Sequence, residues 1–267
     1  MTQFTYLSLG AGVQSSALLV MSAQGLYDCP RADIAVFADT GDEPQWVYDY
    51  LNDHLIPFGK KHGIPVHVAQ KGVLSENVVS ANGRSVSLPL FTPGDDGTNE
   101  GMLRRQCTRE FKVEPIEKFV RAHLGYKPRQ RIRQPVTCLV GISIDESHRM
   151  KLNQRPWITN RWPLVDAELD RRKCLRIVTA AGLPEPKRSA CVYCPFHSDR
   201  FWNDLKVNHP DEFTRAVAFD RAFRVKDGLH RPGYVHRSCQ PLDEVDFDPT
   251  RDQIDMFGNE CEGMCGV

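Results

Sequence analysis

The first part of the chain alternates between short apolar runs and longer segments whose apolar residues recur at helical spacing. Residues 4–9, 34–38 and 64–68 are runs that predict buried strands. Residues 16–24 and 45–62 predict helices between and after them. Strands and helices that alternate at this pitch predict an α/β fold with a doubly wound, mainly parallel sheet, which binds ligands at the carboxyl ends of its strands.

The second part of the chain is less regular. Residues 72–101 are rich in Gly, Ser, Asn and Asp, and they predict a mobile loop or lid. The pattern predicts four further elements: a helix at 113–124, a strand at 136–144, and helices at 166–181 and 211–226. We therefore expect an α/β domain over residues 1–188 and a cysteine-bearing, helical C-terminal extension over residues 189–267.

Composition indicates an ordinary globular chain, with 41% hydrophobic and 25% charged residues among 267. Its apolar runs fall far short of the roughly 18 residues that a membrane-spanning helix needs. The N-terminus lacks the basic and then apolar pattern of a signal peptide. We expect a cytoplasmic protein that has no contact with a membrane.

Charge is balanced overall but uneven along the chain. Lys and Arg total 34, and Asp and Glu also total 34, so no global field recruits nucleic acid. The segment from Arg104 to Arg133 nevertheless holds ten basic residues against three acids, whereas residues 243–262 hold eight acids and Arg251. This pattern indicates either a basic face that could bind nucleic acid or two solvated surfaces, and composition alone favours the solvated surfaces.

A glycine-rich turn joins the first predicted strand to the first predicted helix. It reads Ser8-Leu-Gly-Ala-Gly-Val-Gln-Ser-Ser16. Its glycines allow close approach of a ligand to the backbone, and the N–H groups that open the helix offer an anion site. It lacks the Gly-Lys-Ser/Thr ending of a Walker A loop, and Ser15 replaces the third glycine of a Rossmann loop. The turn predicts a phosphate loop of another kind.

A second turn follows the second strand and carries a carboxylate, in Asp39-Thr-Gly-Asp-Glu-Pro44. Together, SLGAGVQSS and FADTGDEP resemble the PP-loop ATP pyrophosphatase superfamily, in its phosphoadenylyl sulfate (PAPS) reductase-like branch. Residues 105–115, 141–149 and 162–166 resemble three further segments of that branch in the same order, including Cys-Thr-x-x-x-Lys-x-x-Pro and Gly-x-x-x-x-Glu-Ser-x-x-Arg. The resemblance implies an adenine nucleotide alpha hydrolase-like fold and the binding of ATP or another adenylyl nucleotide with Mg²⁺.

The loop departs from the adenylating members of this superfamily, which carry Ser-Gly-Gly-Lys-Asp-Ser. Val13 and Gln14 stand near the position of the missing lysine. A lysine at the phosphates would stabilise developing charge, and we expect Arg109, Lys112 or Arg149 to supply that charge instead. In this respect the loop is closer to PAPS reductases than to the DNA-phosphorothioation relatives.

The predicted nucleotide site comprises Ser8, Gly10, Gly12, Gln14, Ser15, Ser16, Asp39, Thr40, Gly41, Glu146 and Arg149. Backbone N–H groups and hydroxyls of the first loop would hold phosphate, and Asp39 would bind Mg²⁺ or a ribose or adenine edge. Glu146 and Arg149 lie three residues apart and share one face of a helix. Arg149 suits a bidentate phosphate contact, although a structural ion pair is an equal alternative.

The nine cysteines are many for a cytosolic chain, where they serve metal or redox chemistry more often than disulfides. Cys191 and Cys194 form a C-x-x-C pair, and Cys107 and Cys239 are candidates to complete it. The resemblance implies a 4Fe-4S cluster on Cys107, Cys191 and Cys194, with Cys239 as a fourth ligand. The alternative is Zn²⁺ on Cys191, Cys194 and His197, together with Cys239 or His236.

The last residues place Cys261 and Cys265 near the C-terminus. Reductases of the resembled branch use a C-terminal Glu-Cys-Gly thiol to attack the sulfonate sulfur, and these two cysteines are similar to it. Neighbouring carboxylates would raise the pKa of such a thiol. The alternatives are a frayed tail or a tail that completes the metal site.

Three functions remain open at this point. The first is cleavage of ATP between the α and β phosphates to activate an acceptor in sulfur or nucleic-acid modification, with the cluster or a persulfide donor providing sulfur. The second is reduction of an adenylyl sulfate by a tail thiol, with a thioredoxin-like donor. The third is a non-catalytic nucleotide- and metal-binding module of a nucleic-acid-modifying assembly. The three clustered cysteines favour the first, and the sequence gives no oligomeric state.

Overall fold

The computed structural model describes residues 3–80, 88–95, 97, 99–224 and 231–248. Its strands are β1 (Phe4–Leu9), β2 (Ile34–Asp39), β3 (Val66–Gln70), β4 (Phe91–Pro93), β5 (Asn99–Met102), β6 (Val136–Val140) and β7 (Ile158–Arg161). Five of them form a parallel sheet in the order β3-β2-β1-β6-β7, and β4 and β5 form a separate antiparallel hairpin. The predicted parallel α/β fold is confirmed.

The helices are α1 (Val13–Gln24), α2 (Gln45–Tyr50), α3 (Ile56–Lys61), α4 (Leu74–Val79), α5 (Glu114–His123), α6 (Pro163–Asp166), α7 (Arg171–Ala180), α8 (Asp199–Asn208) and α9 (Pro210–Arg224). Shorter turns of 3₁₀ helix lie at Leu26–Asp28 and Ile144–Arg149. No helix of the described residues is both long and apolar enough to cross a membrane.

The central sheet is covered on both faces because its strand residues point alternately to either side. Leu7 and Leu9 belong to a core formed with α1, α3 and α7. Tyr6 belongs to the core on the opposite face, which includes Ile116 and Val120 of α5. This arrangement is the doubly wound architecture that the sequence predicts.

The C-terminal extension packs into a third core. Trp202 of α8 and Phe223 of α9 are fully buried there, together with Leu74 of α4 and with Leu90 and Phe111. The extension is helical, as predicted, and it shares its core with residues from the middle of the chain. The division between residues 188 and 189 therefore stays a prediction.

Two long helices contain a π-helical turn just before a proline. The helix over 45–61 has such a turn at Leu51–Leu55, followed by Pro57, and the helix that becomes α5 has one at Thr108–Val113, followed by Pro115. Proline has no N–H to donate to the carbonyl four residues earlier. The regular series of helical hydrogen bonds is therefore interrupted at these positions.

Other elements differ from the prediction. Residues 72–101, where the composition predicted a mobile loop or lid, contain α4, β4 and the first three residues of β5. Strand β7 was not predicted because Ile158 is its only fully buried residue. The predicted helix over 166–181 is divided into α6 and α7, and β3 begins two residues later than expected.

Candidate functional site

The topology places one crevice in the sheet. Strand β1 is bordered by β2 on one side and by β6 on the other, so the chain reverses its direction of progress across the sheet between β1 and β6. Ligands of open α/β sheets bind at such a switch point, outside the carboxyl ends of the strands. The glycine-rich turn after β1 and residues 141–149 after β6 lie at this edge.

The first turn of α1 offers backbone N–H groups to a ligand. Gly12 is the residue before the helix, and no side chain caps the N-terminus with a hydrogen bond. The hydroxyls of Ser15 and Ser16 donate to the carbonyl oxygen of Gly12, at 3.2 and 2.7 Å. These hydroxyl protons are therefore used within the turn, and the backbone N–H groups are the anion-binding groups that remain.

Two features of the turn are unusual for residues with a structural role alone. Ser8 is 1% exposed, and its Oγ has no hydrogen-bond partner among the described residues. Ala11 has a φ of 57°, in the left-handed region that non-glycine residues adopt at a cost. A buried hydroxyl without a partner calls for an explanation, and a ligand at this turn would supply one.

Gly141 brings β6 against the first turn of α1. A Cβ added to Gly141 would lie 2.9 Å from the Ser15 nitrogen and 3.0 Å from the Ser15 Cα. Both atoms belong to the backbone and can move only if the helix moves. Glycine is therefore required for the close approach at the switch point.

Glu146 and Arg149 form a buried ion pair within the 3₁₀ turn, with 2.7 Å between Oε1 and Nη1. The Gln14 amide nitrogen donates to the other Glu146 carboxylate oxygen, Oε2, at 3.4 Å and to Ser143 Oγ at 3.4 Å. Arg171, at the start of α7, donates from Nη1 to Gln14 Oε1 at 3.3 Å. These contacts link the phosphate loop, the turn after β6 and α7.

Asp39 is the carboxylate at the end of β2, and it organises the second turn. Its Oδ1 accepts from the Gly41 nitrogen at 2.7 Å and from the Tyr48 hydroxyl at 2.8 Å, and its Oδ2 accepts from Gln70 at 3.1 Å. Burial, reinforced by the bond to Asp39, raises the pKa of Tyr48 far above its usual value. Three of the roughly four lone-pair sites of the carboxylate are occupied, so one remains for Mg²⁺ or a ribose hydroxyl.

Lys112 and Glu43 form a second buried ion pair beside this turn. Lys112 Nζ lies 3.1 Å from Glu43 Oε1, and the two side chains are 8% and 1% exposed. Arg109 lies 3.6 Å from Glu114. Each of the three cations that the sequence offered in place of the missing lysine, Arg149 included, is thus paired with a carboxylate.

Three of the predicted metal ligands line one small cavity of about 30 Å³. They are Cys107, which precedes the π-helical turn, and both members of the C-x-x-C pair, Cys191 and Cys194. The cavity wall also includes Thr40, Leu74, Leu88, Pro89, Arg105, Thr108, Lys112, Tyr193, Pro195 and Phe196. Cys239 is buried elsewhere and does not line this cavity.

The thiols of the cavity do not converge on a single point. Within the described ranges, no three Cys, His, Asp or Glu side chains are grouped so that they could hold one metal ion. A zinc ion needs its sulfur ligands about 2.3 Å from one centre. Burial raises the pKa of Cys191 well above its usual value.

Both histidines of the zinc alternative are hydrogen-bonded in other ways. His197 is bonded through Nε2 to the carbonyl of Cys191 at 2.9 Å and stacks on Phe201. His236 is bonded to Asp199 at 3.1 Å and to Ser238 at 2.8 Å. In the part of the chain that the structure describes, neither ring belongs to a group of metal ligands, and His197 Nδ1 has no hydrogen-bond partner there.

The segment that carries Cys191 and Cys194 is hydrogen-bonded to the turns that follow β1 and β2. The Ser189 hydroxyl donates to the carbonyl of Gly10, and the Val192 nitrogen donates to the carbonyl of Asp42 at 2.9 Å. Thr40 Oγ1 and Cys191 Sγ are 3.4 Å apart. The cysteine cavity and the phosphate loop are therefore neighbours at one edge of the sheet.

Residues of the basic segment from Arg104 to Arg133 line two separate pockets. Arg105 and Lys112 line the cysteine cavity, as described above. A separate surface groove runs along α5 and is lined by Glu114, Glu117, Lys118, Arg121, Ala122, Tyr126, Pro128, Arg129, Arg155 and Trp157. Basic residues of this segment thus line two separate pockets, and the basic, anion-binding face stays a prediction.

Three site residues had no role in the sequence analysis. Arg171 belongs to no recognised motif, and Ser189 precedes the cysteine pair without any signal of its own. Tyr193 stands between the two cysteines, and its hydroxyl donates to Asp42 at 2.7 Å. Only Tyr193 could have been suspected, from its position inside C-x-x-C. The tail cysteines Cys261 and Cys265 lie outside the described residues.

Comparison with known proteins gives structural similarities but no match in sequence. No protein-family model and no curated protein matches the chain. Among solved structures, the chain is similar to the U34-tRNA thiolase NcsA from Methanococcus maripaludis with its 4Fe-4S cluster, with a TM-score of 0.46 and 12% sequence identity. The match covers 99% of this chain and 80% of that chain.

Proposed function

We propose that this chain is a PP-loop enzyme that binds ATP with Mg²⁺ and cleaves it between the α and β phosphates to activate an acceptor. The acceptor oxygen bonds to the α-phosphorus, and pyrophosphate leaves. The acceptor takes part in sulfur or nucleic-acid modification, next to a 4Fe-4S cluster. The observation that carries the proposal is the direct bonding of the cysteine segment to the phosphate loop, from Ser189 to the carbonyl of Gly10.

The nucleotide half of the proposal is supported by the switch point. The uncapped N-terminus of α1 offers N–H groups to phosphate, and the buried Ser8 hydroxyl has no partner among the described residues. Asp39 retains room for one further contact, with Mg²⁺ or a ribose hydroxyl. The position of Gly141 keeps the turn after β6 close enough to enclose the same ligand.

The cluster half of the proposal is supported by the donor set of the cavity. Cys107, Cys191 and Cys194 are its thiols, and thiolates are the ligands of iron–sulfur clusters. When bound, such a cluster would supply iron that can carry sulfur or electrons. Arg105 and Lys112 in the wall would offset thiolate charge. Cys239 is left out of this ligand set because it does not line the cavity.

The first experiment measures iron and acid-labile sulfide in protein purified without oxygen. We expect about four of each per chain, the content of one 4Fe-4S cluster. Cys191→Ser should lose most of both, whereas the matched control Cys29→Ser, a buried cysteine outside the cavity, should retain them. One zinc per chain without sulfide would contradict the cluster.

The second experiment identifies the reaction. The loaded protein is incubated with Mg²⁺ and either ATP or an adenylyl sulfate, and AMP, pyrophosphate and sulfite are measured with and without RNA and a sulfide donor. Pyrophosphate release that depends on the acceptor supports the proposal. Sulfite release that is lost in Cys261→Ser or Cys265→Ser would replace it with the reductase. Binding without any turnover would indicate the non-catalytic module.

A further inference from the structure

We infer that Arg171 binds the phosphates of the nucleotide and that Gln14 positions it, so that the two together replace the lysine that the phosphate loop lacks. This inference rests on the proposed nucleotide site and extends it. No motif of the chain singles out Arg171, because it belongs to α7, far from the phosphate loop in sequence.

The side chain of Gln14 is held in one orientation. It is 2% exposed and lies in the first turn of α1. Its amide nitrogen donates to Glu146 and Ser143, and its amide oxygen accepts from Arg171. The amide nitrogen can only donate, and the amide oxygen can only accept. The nitrogen therefore faces the Glu146 carboxylate, and the oxygen faces the Arg171 guanidinium. Gln14 thereby holds the Arg171 guanidinium beside the phosphate loop.

The hydrogen-bonded chain of side chains brings two cations to the phosphate loop. It runs from Arg149 through Glu146 and Gln14 to Arg171. Arg171 supplies a positive charge next to Gln14, near the position of the missing lysine. The positive end of the α1 dipole lies at the same place, and both favour an anion there.

Hydrogen bonds of the backbone fix the position of Arg171 at the start of α7. Asp170 caps α7 by accepting from the Lys173 nitrogen at 2.7 Å, which makes Arg171 the first residue of the helix. The nitrogen of Ile144 donates to the carbonyl of Leu169 at 2.9 Å, so the turn after β6 is tied to the residue just before this cap. Helix α7 also packs in the same core as α1. Arg171 is thus anchored to both loops of the switch point.

The test compares Arg171→Gln with Arg172→Gln, an exposed neighbour with the same charge. The dissociation constants of ATP and AMP are measured by calorimetry on the full chain with Mg²⁺. Loss of a charged contact to phosphate should weaken ATP binding about tenfold or more, and AMP binding by a smaller factor. Arg172→Gln should bind both nucleotides as the wild type does. Equal ATP affinity in the two variants would overturn the inference.

A rescue experiment separates phosphate binding from a structural role. Gln14→Lys returns a lysine to the phosphate loop, and in the Arg171→Gln background it should restore most of the lost ATP affinity. A double variant that folds but binds ATP no better than Arg171→Gln contradicts the inference.

A further variant decides the case if the double variant does not fold. Arg171→Lys keeps the charge, and it should bind ATP more tightly than Arg171→Gln; equal affinities would overturn the inference. Failure of the proposed function gives a different result, because the folded wild type would then bind no adenine nucleotide at all. In contrast, ATP binding by the wild type that is unaffected by Arg171→Gln refutes only the role of Arg171.

Discussion

The hydroxyl of Ser189 donates a hydrogen bond to the carbonyl oxygen of Gly10, and it joins the cysteine segment to the phosphate loop. Both residues belong to buried backbone at the carboxyl edge of the sheet, where Ser189 is 1% exposed. The two halves of the candidate site are therefore linked by a contact between residues far apart in the chain. A substitution at Ser189 should therefore affect the phosphate loop, and a substitution in the phosphate loop should affect the cysteine segment.

Ser189→Ala tests this link. It removes the donor and leaves a buried carbonyl without its partner, which costs about 1–3 kcal/mol of unfolding free energy. We expect the melting temperature to fall by about 2–4 °C per kcal/mol, together with lower iron content and weaker ATP binding. Ser80→Ala is the control, because that hydroxyl is exposed on the surface. If only the melting temperature changes, the link has no functional role.

Gly141→Ala tests the close approach at the switch point. The added methyl would meet the Ser15 backbone at 2.9 Å, so the start of α1 must move. We expect a loss of about 1–3 kcal/mol of unfolding free energy in urea titrations and a clear loss of ATP affinity. Gly101→Ala is the control, since its Cβ would lie 3.8 Å from its nearest neighbour, Thr92. Unchanged ATP binding in Gly141→Ala would show that the nucleotide lies elsewhere.

The groove along α5 is the proposed contact surface for a nucleic-acid acceptor. Lys118 and Arg129 are exposed basic residues of its lining, and Trp157 offers a ring on which a base could stack. We expect Lys118→Gln combined with Arg129→Gln to weaken RNA binding and to reduce the slope of log affinity against log salt by about 2. Lys60→Gln, exposed on α3, should change neither quantity. Filter binding across a salt series measures both, and an unchanged slope contradicts a role for the groove.

His236 should make stability depend on pH. Burial lowers the pKa of His236 below its usual 6.5, although Asp199 opposes the shift. The folded chain therefore favours the neutral ring, and this contribution is fully present above pH 6.5 and is lost as the pH falls below that value. The loss can reach about 1.4 kcal/mol per pH unit for one group.

Urea unfolding between pH 7.5 and 5 measures this dependence. His236→Gln should flatten the curve below pH 6.5, whereas His148→Gln, an exposed histidine, should leave it as it is in the wild type. Asp199, Arg237 and Asp220 are the charged groups around the ring, and the part of the slope that His236→Gln removes belongs to this cluster, while buried His197, whose pKa is also lowered, contributes its own part. A His236→Gln curve as steep as that of the wild type would refute the assignment.

The sequence was sufficient for the central architecture because the inner strands are buried on both faces. Residues 34–38 are a continuous apolar run, and residues 4–9 hold four apolar residues among six, so a helix after each segment leaves a parallel sheet as the natural arrangement. The pairing of Glu146 with Arg149 was also predictable, since a spacing of three residues places two side chains together in one helical turn. Strand β7 lies at the sheet edge and is largely polar, so it gave no comparable signal.

The contacts that assemble the candidate site could not be predicted from local sequence patterns. The bond from Arg171 to Gln14 and the bond from Ser189 to Gly10 depend on how distant loops meet over the sheet. The presence of Cys107 beside the C-x-x-C pair was implied by the family resemblance, whereas the position of Cys239 away from the cavity was not. Periodicity predicts which face of an element is buried, but it does not predict which loops become neighbours.

The cavity cysteines have a consequence for the order of assembly. Cys107 and the pair Cys191 and Cys194 come from distant parts of the chain and meet only when the third core, shared by α4, α8 and α9, has formed. Contacts between distant segments form late in folding because chain closure is costly. A cluster that requires all three thiols would bind only to the folded chain. Because a ligand that binds only the folded state stabilises it, cluster binding would raise the melting temperature. Only correctly folded chains would form the cavity, so only they would acquire a cluster.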